Sequence, residues 1–354
     1  MVDLLTEILF LSPGKSIRGY RFMKIILITL LALGFRYLGP IDWKGLITIA
    51  EIKLNSFSST LLTTTPTIST SSTTTTTTTS TTSSSSMELS TEDESYVLID
   101  PLTNQILKSH NADVERAPAS TLKLITGLLT LEKLNETDIV QVGTEVNVEG
   151  SRLGLKPGDQ ISVHDLLTAL YVNSSNDAAA ALAVKIGGSI PAFATEMNEY
   201  AATLGCQNTH FTSPHGMPDP DQYTTANDLI KIASQFIKNE ELMKFVKETH
   251  ALVQWKDSQG VFRQGELQNT NQLLEIYPGD LGLKTGTTTE AGQCLVTYVS
   301  RPDGDLLLVL LGSKQRYGDT IKLLDEAWAE QRPKAALQGL AKDPSSLILS
   351  PGLF

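Results

Sequence analysis

Three short clusters in the chain combine residue types that can activate a hydroxyl group. Ser120-Thr-Leu-Lys123 sets a hydroxyl and an amine three positions apart, and on a helix such residues share a face, so the amine can meet the hydroxyl. Pro118 is tolerated only around a first turn, which starts the helix near the serine. There the positive end of the helix dipole favours an alkoxide-like nucleophile. The lysine can act as a base only if its pKa falls well below about 10.4; burial and a second nearby cation would lower it. Ser174-Ser-Asn176 adds a hydroxyl and an amide in a loop ahead of an Ala-rich segment. Lys284-Thr285-Gly286, followed by Thr287, adds a second cation at what reads as a strand edge. Gly286 lacks a side chain, which lets a ligand backbone lie against that strand.

Each cluster taken alone has a plainer explanation. Ser120 is then an N-cap serine, Ser174 and Asn176 are loop and cap residues, and Lys284 is a protective lysine on an edge strand. Two of the patterns also recur by chance: Ser12-Pro-Gly-Lys15 repeats the first and Ser109-His-Asn111 the second. Order and setting single out one copy of each. Ser120, Ser174 and Lys284 follow one another on a helix start, a loop and a strand.

The elements that must carry these residues are legible in outline. Tyr96–Asp100 and Gln105–Lys108 flank a turn at Asp100-Pro-Leu-Thr-Asn104 and read as a hairpin. Helical patterns follow at Leu122–Leu134, Val163–Val172, Asp177–Ile186, Pro191–Leu204 and Ala226–Ile237. Strands return at Gly292–Val299 and Leu306–Leu311 across Pro302-Asp303-Gly304, and Thr320–Trp328 closes with a helix. Strands at both ends with helices between predict an α/β (more strictly α+β) domain, one antiparallel sheet built from both ends around a helical middle.

Outside residues 93–330 the chain changes character. Lys15, Arg18, Arg21 and Lys24 precede an apolar run, Ile25–Phe35. That run is short for a spanning helix, which takes about 20 residues, and with its basic flank it reads as a signal peptide or an uncleaved signal anchor within residues 1–54. Met23 is a candidate alternative start, and Ala32-Leu33-Gly34 a passable cleavage site. Residues 55–92 are dominated by Ser and Thr, cannot bury a core and read as a disordered tether, with a reach of roughly 30–35 Å. Residues 331–354 read as a loose tail. This layout puts the 93–330 domain outside the cytoplasm, held at the membrane by the N-terminus or released if the segment is cleaved.

Charge and cysteines narrow the function classes. The chain carries 28 Lys/Arg and 39 Asp/Glu; residues 1–90 hold seven and five of these, which leaves the remainder at −13. An acidic domain is a poor partner for nucleic acid. Cys206 and Cys294 have no metal-like spacing and read as free buried thiols. His210 and His215 stand five apart without the His-Glu-x-x-His of a zinc peptidase, and no metal or cofactor is expected.

Ser-x-x-Lys, a Ser-x-Asn loop and Lys-Thr-Gly together form the signature of penicillin-binding proteins and class A β-lactamases. From about Tyr96 to Trp328 the chain resembles the low-molecular-mass penicillin-binding proteins, the serine D-Ala-D-Ala carboxypeptidases. Asn111-Ala-Asp-Val, Pro118-Ala-Ser120, Leu155-Lys-Pro-Gly-Asp159, Ser175–Ala183, Asn208-Thr-His-Phe211, His215-Gly-Met217 and Tyr223–Leu229 carry that resemblance beyond the three motifs. It implies a β-lactamase/transpeptidase-like fold and an acyl-enzyme on Ser120 with Lys123 as general base. Ser174 would relay a proton to the leaving amine, and Asn176 would hydrogen-bond the substrate peptide. Lys284 would keep the site electropositive, and Thr285 would bind the substrate carboxylate, with Arg316 a weaker candidate for it. The amides of Ser120 and Thr287 would form the oxyanion hole. The implied partners are peptidoglycan stem peptides ending in D-Ala-D-Ala and, as covalent inhibitors, β-lactams. An endopeptidase cutting cross-bridges with the same machinery stays open. A class A β-lactamase needs a deacylating glutamate between the second and third motifs, and Ala201–Asn239 contains none.

Overall fold

The computed structural model of the chain describes residues 94–342. The stub, signal segment and tether expected before them, and residues 343–354, lie outside the described residues. In chain order the elements are β1 (Ser95–Asp100), β2 (Gln105–His110), a 3-10 turn (Ala119–Leu122) running into α1 (Lys123–Lys133), β3 (Ile139–Gln141), β4 (Gln160–Ser162), α2 (Val163–Val172), α3 (Asn176–Gly187), α4 (Ile190–Thr203), α5 (Ala226–Phe236) and α6 (Glu240–Lys247). They continue with β5 (His250–Lys256), β6 (Phe262–Gln268), α7 (Leu273–Ile276), β7 (Asp280–Thr288), β8 (Gly292–Arg301), β9 (Gly304–Ser313) and α8 (Arg316–Lys342).

The larger sheet has the order β2-β1-β9-β8-β7 with every neighbouring pair antiparallel, so it is built from both ends of the domain as the sequence predicts. Its central strand explains the unbroken apolar run Leu306–Leu311. Successive side chains point to opposite faces, and here both faces are covered. Leu307, Val309 and Leu311 join Val97, Ile99 and Val296 in the core shared with the helical middle. Leu306 and Leu308 join Leu98, Leu295, Leu323, Leu324 and Trp328 in a second core beneath α8. The Ala-rich α3 is buried almost throughout, because small side chains let neighbouring elements close around it.

Three features depart from the sequence expectation. A second sheet, β3-β4-β5-β6, is present; β3 and β4 span three residues each, too short to show alternation, and the β5–β6 hairpin is largely exposed on both faces. The eight-residue α6 also escapes periodicity, although Asn239 Oδ1 caps it by accepting from the Leu242 amide at 3.0 Å. Finally, the closing helix starts earlier than Thr320 and continues to Lys342, where a loose tail was expected from residue 331; Ala335, Ala336, Leu337 and Gln338 are strong helix formers. Cys206 and Cys294 are both free, the second fully buried and the first half-buried. Among the described residues no single helix is long and apolar enough to cross a membrane.

Candidate active site

Ser120 sits in the 3-10 turn that opens α1, and it is not a cap: Pro118 occupies the N-cap position with no side-chain cap hydrogen bond. Its hydroxyl faces Lys123 instead. Lys123 Nζ, fully buried, lies 2.8 Å from Ser120 Oγ, 2.7 Å from Asn176 Oδ1 and 2.7 Å from the His215 carbonyl oxygen. The orientation of the Asn176 amide is set by its other end, where Nδ2 donates to the Glu149 carbonyl at 2.6 Å. Two of the three neighbours of Nζ can therefore only accept. Nζ donates to all three neighbours, and the Ser120 hydroxyl in turn donates to the His215 carbonyl at 3.3 Å; in its neutral form the amine has two N–H groups for Asn176 and His215 and a lone pair for the Ser120 proton.

The electrostatics favour the neutral form of that amine. Burial first, and then the charge of Lys284, hold Lys123 well below the ordinary lysine value, against an opposing pull from Asp177. Lys284 is itself lowered to about 7 by burial and by the Arg316 guanidinium. Burial and Lys123 also push His215 down to about 3, so its ring is uncharged.

Backbone constraints fix the geometry. The residue before Ser120, Ala119, has φ +47, and Ser174 has φ +63; such values are sparsely populated outside glycine and are held only by surrounding structure. Strand β7 runs directly past Ser120. A Cβ at Gly286 would lie 2.8 Å from the Ser120 nitrogen, so this glycine admits the backbone of the α1 start, where the sequence argument reserved the space for a ligand. Gly216 has φ +85, and a Cβ there would lie 1.9 Å from the Ala119 carbonyl oxygen. Gly216→Ala is therefore expected to displace the 119–120 peptide and lower acylation of Ser120 about 100-fold, since misplacement of about 1 Å has that scale of effect. The strained φ adds a loss of about 2 kcal/mol, visible as a fall in Tm. A wild-type acylation rate in the variant would contradict this.

Asn176 and Asp177, the first residues of α3, clamp the neighbouring loop. The Asp177 carboxylate accepts from the amides of Leu153, Gly154 and Leu155 at 3.0, 2.8 and 3.0 Å, and the Asn176 amide donates to the Ser151 carbonyl at 2.7 Å. Arg316, at the start of α8, is held more firmly than an exposed arginine after a strand would be. It donates to the carbonyls of Gly286 and Cys294 at 2.8 and 3.0 Å and bonds the Thr287 hydroxyl. Thr285 pairs its hydroxyl with that of Thr270 at 2.6 Å. The Thr270 backbone is tied to both sides of the site: its amide donates to the Val172 carbonyl at 2.9 Å, and its carbonyl accepts from Tyr317 Oη at 2.9 Å.

The structure thus joins Ser120, Lys123 and Asn176 by hydrogen bonds, and joins Gly286, Thr287 and Arg316. Lys284 is coupled to Lys123 and Arg316 through charge. Ser174 is buried between α2 and α3, and among the described residues no hydrogen bond links its hydroxyl to Lys123 or Lys284. Asn176, expected on the substrate, is engaged by Lys123 and Glu149. Sequence reasoning did not assign roles to His215, Gly216, Asp177 or Thr270. The first two act here through the backbone, which residue type does not announce; His215-Gly216 was visible only as a stretch of family resemblance.

The model of the D-alanyl-D-alanine carboxypeptidase family matches residues 69–315. The chain belongs to that family. Among characterised members it is 32% identical over 252 residues to D-alanyl-D-alanine carboxypeptidase DacF of Bacillus subtilis, covering 69% of this chain and 64% of that protein. It is 35% identical over 253 residues to D-alanyl-D-alanine carboxypeptidase DacC of Escherichia coli, covering 66% and 61%. The chain thus spans about three-fifths of the length of these relatives. The crystal structure of the Streptomyces K15 DD-transpeptidase superposes with a TM-score of 0.63 at 31% identity, covering 66% of this chain and 96% of that one. The family's fold is the α+β arrangement described above, with its two antiparallel sheets.

Proposed function

We propose that the chain is a serine-type D-alanyl-D-alanine carboxypeptidase that trims peptidoglycan stem peptides outside the cytoplasm, through an acyl-enzyme on Ser120. The observation that carries this reading is the environment of Lys123 Nζ: a buried amine, depressed by burial and Lys284, with two acceptor-only partners and its third neighbour the Ser120 hydroxyl. Ser120 Oγ attacks the carbonyl of the penultimate D-Ala as Lys123 takes its proton. The oxyanion is received by the amides of Ser120 and Thr287, the second on the strand that abuts the first. Collapse breaks the C–N bond, and the proton returns to the departing D-Ala amine through Ser174. Water then attacks the ester with Lys123 again accepting a proton, releasing the shortened peptide. Thr285, with Arg316 behind Thr287, receives the terminal carboxylate, and Lys284 keeps the pocket positive. β-Lactams enter as covalent inhibitors of the same serine. The N-terminal apolar segment and Ser/Thr tether serve as the membrane attachment.

The test is release of free D-Ala from a pentapeptide, run beside cleavage of a cross-linked dimer and mass analysis of the penicillin-labelled peptide that contains Ser120. D-Ala release with a penicilloyl group on Ser120 is the expected outcome. Dimer cleavage without D-Ala release would replace carboxypeptidase by endopeptidase, and folded protein that takes no label would remove the acyl-enzyme reading altogether.

A further inference from the structure

Against the Asn176 side chain, through Gly150, lies a groove of about 560 Å³ lined by Asn147, Gly150, Arg152, Gly154, Leu155 and Lys156. Its lining contains two cations and no carboxylate. Arg152 and Lys156 are exposed, and among the described residues neither takes part in an ion pair or a side-chain hydrogen bond. Three of the nearby acids are committed elsewhere. Asp177 is used by the three loop amides and by Ala178 N at 3.0 Å, Asp159 accepts from the Lys156 amide at 2.9 Å, and Asp257 pairs with Arg263 at 2.8 Å. Glu149 lines a neighbouring concavity with His215 and Met217. These two cations, unpaired in a domain (residues 93–330) whose net charge is −14, are available to an anion from outside.

The backbone on either side of Arg152 is fixed by the same two residues that order the site. The Ser151 carbonyl before it accepts from the Asn176 amide, and the Leu153 amide after it donates to Asp177. Gly150 abuts the Asn176 side chain so closely that a Cβ would lie 2.7 Å from Nδ2. The arginine therefore stands on a platform one residue removed from the partner of the general base. If Thr285 and Arg316 take the carboxylate of the leaving D-Ala on the β7 side, a peptide crossing Ser120 leaves its acyl portion on the Asn176 side, toward this groove.

We infer that Arg152, assisted by Lys156, forms an anion subsite that selects donor peptides carrying a carboxylate on the acyl side of the scissile bond, within a few residues of it. This rests on the carboxypeptidase reading above. A guanidinium recognises a carboxylate through two parallel N–H bonds, and at an exposed position the pairing weakens with salt.

The test compares Nα-acetyl-Nε-succinyl-L-lysyl-D-alanyl-D-alanine, which bears the extra carboxylate, with its neutral Nα,Nε-diacetyl counterpart, in the full chain and in its Arg152→Gln and Arg152→Glu variants. The wild-type chain is expected to favour the succinyl probe about tenfold in kcat/KM at 50 mM salt. That ratio should approach one in Arg152→Gln, invert in Arg152→Glu and shrink at 500 mM salt, while turnover of the neutral probe is unchanged. A wild-type ratio near one, or a ratio that survives Arg152→Glu, overturns the subsite. The same Kd ratio measured by calorimetry in the Ser120→Ala background needs no turnover. Failure to release D-Ala from either probe therefore sinks the carboxypeptidase reading, while the binding ratio still decides the subsite.

Discussion

Ser120→Ala is expected to lower D-Ala release by about 10⁶-fold in kcat, the scale seen when an activated serine is removed from a preorganised site, and to abolish the penicillin adduct, while Tm stays within a few degrees of wild type. The loss is large because no neighbouring hydroxyl can substitute. Among the described residues Lys123 Nζ hydrogen-bonds Ser120 Oγ, Asn176 Oδ1 and the His215 carbonyl, and Ser174 has no hydrogen bond to that amine. The fold tolerates the change because Ser120 caps nothing. The donors left behind keep acceptors, since two of the three contacts of Nζ do not involve Ser120. An equally strong penicillin label in the alanine variant would remove Ser120 from its role.

Lys123→Met should lower acylation by about 10⁴-fold, the upper end of what a positioned base supplies; a long unbranched apolar side chain fills the fully buried position, while the Asn176 and His215 acceptors lose their donor at a cost of about 1–3 kcal/mol each, read as a fall in Tm. The pH dependence provides a finer check. The working form of Lys123 is the neutral amine, so kcat/KM rises with pH as that amine loses its proton. Burial and Lys284 hold its pKa far below the ordinary value, and this acid limb lies correspondingly low. On the alkaline side Lys284, with a pKa of about 7, gives up its charge and the pocket loses part of its attraction for a carboxylate. In Lys284→Gln one of the influences lowering Lys123 is gone, so the acid limb moves to higher pH. A limb that stays in place, or moves lower, would separate Lys123 from the titration that governs acylation.

The chemistry-bearing residues were legible because they are few, ordered and set on recognisable elements. Ser120 and Lys123 share a helical face, and Lys284 follows from the strand signal around Lys-Thr-Gly. The larger sheet was legible from Leu306–Leu311 and the Pro302-Asp303-Gly304 turn, since a continuous apolar run bounded by a turn marks a strand buried on both faces. The second sheet was not, because three-residue strands and an exposed hairpin carry no periodic signal. Nor could residue types announce that His215 contributes its carbonyl, or that Gly216 and Gly286 are required by contact with Ala119 and Ser120. Those are facts about backbones brought together over separations of about 95 and 170 residues in the chain.

By itself the sequence pointed to the kind of reaction proposed: a serine with a lysine one helical turn away, a second hydroxyl and amide, and a second cation at a strand edge. Those are local pairings, and local pairings are written in spacing. Only the tertiary structure decided the protonation state on which that reaction depends. Lys123 is suited to the proposed role of base because burial and Lys284 lower its pKa and Asn176 and His215 accept from the same nitrogen; desolvation and charge at a point depend on distance in space, which spacing along the chain does not encode.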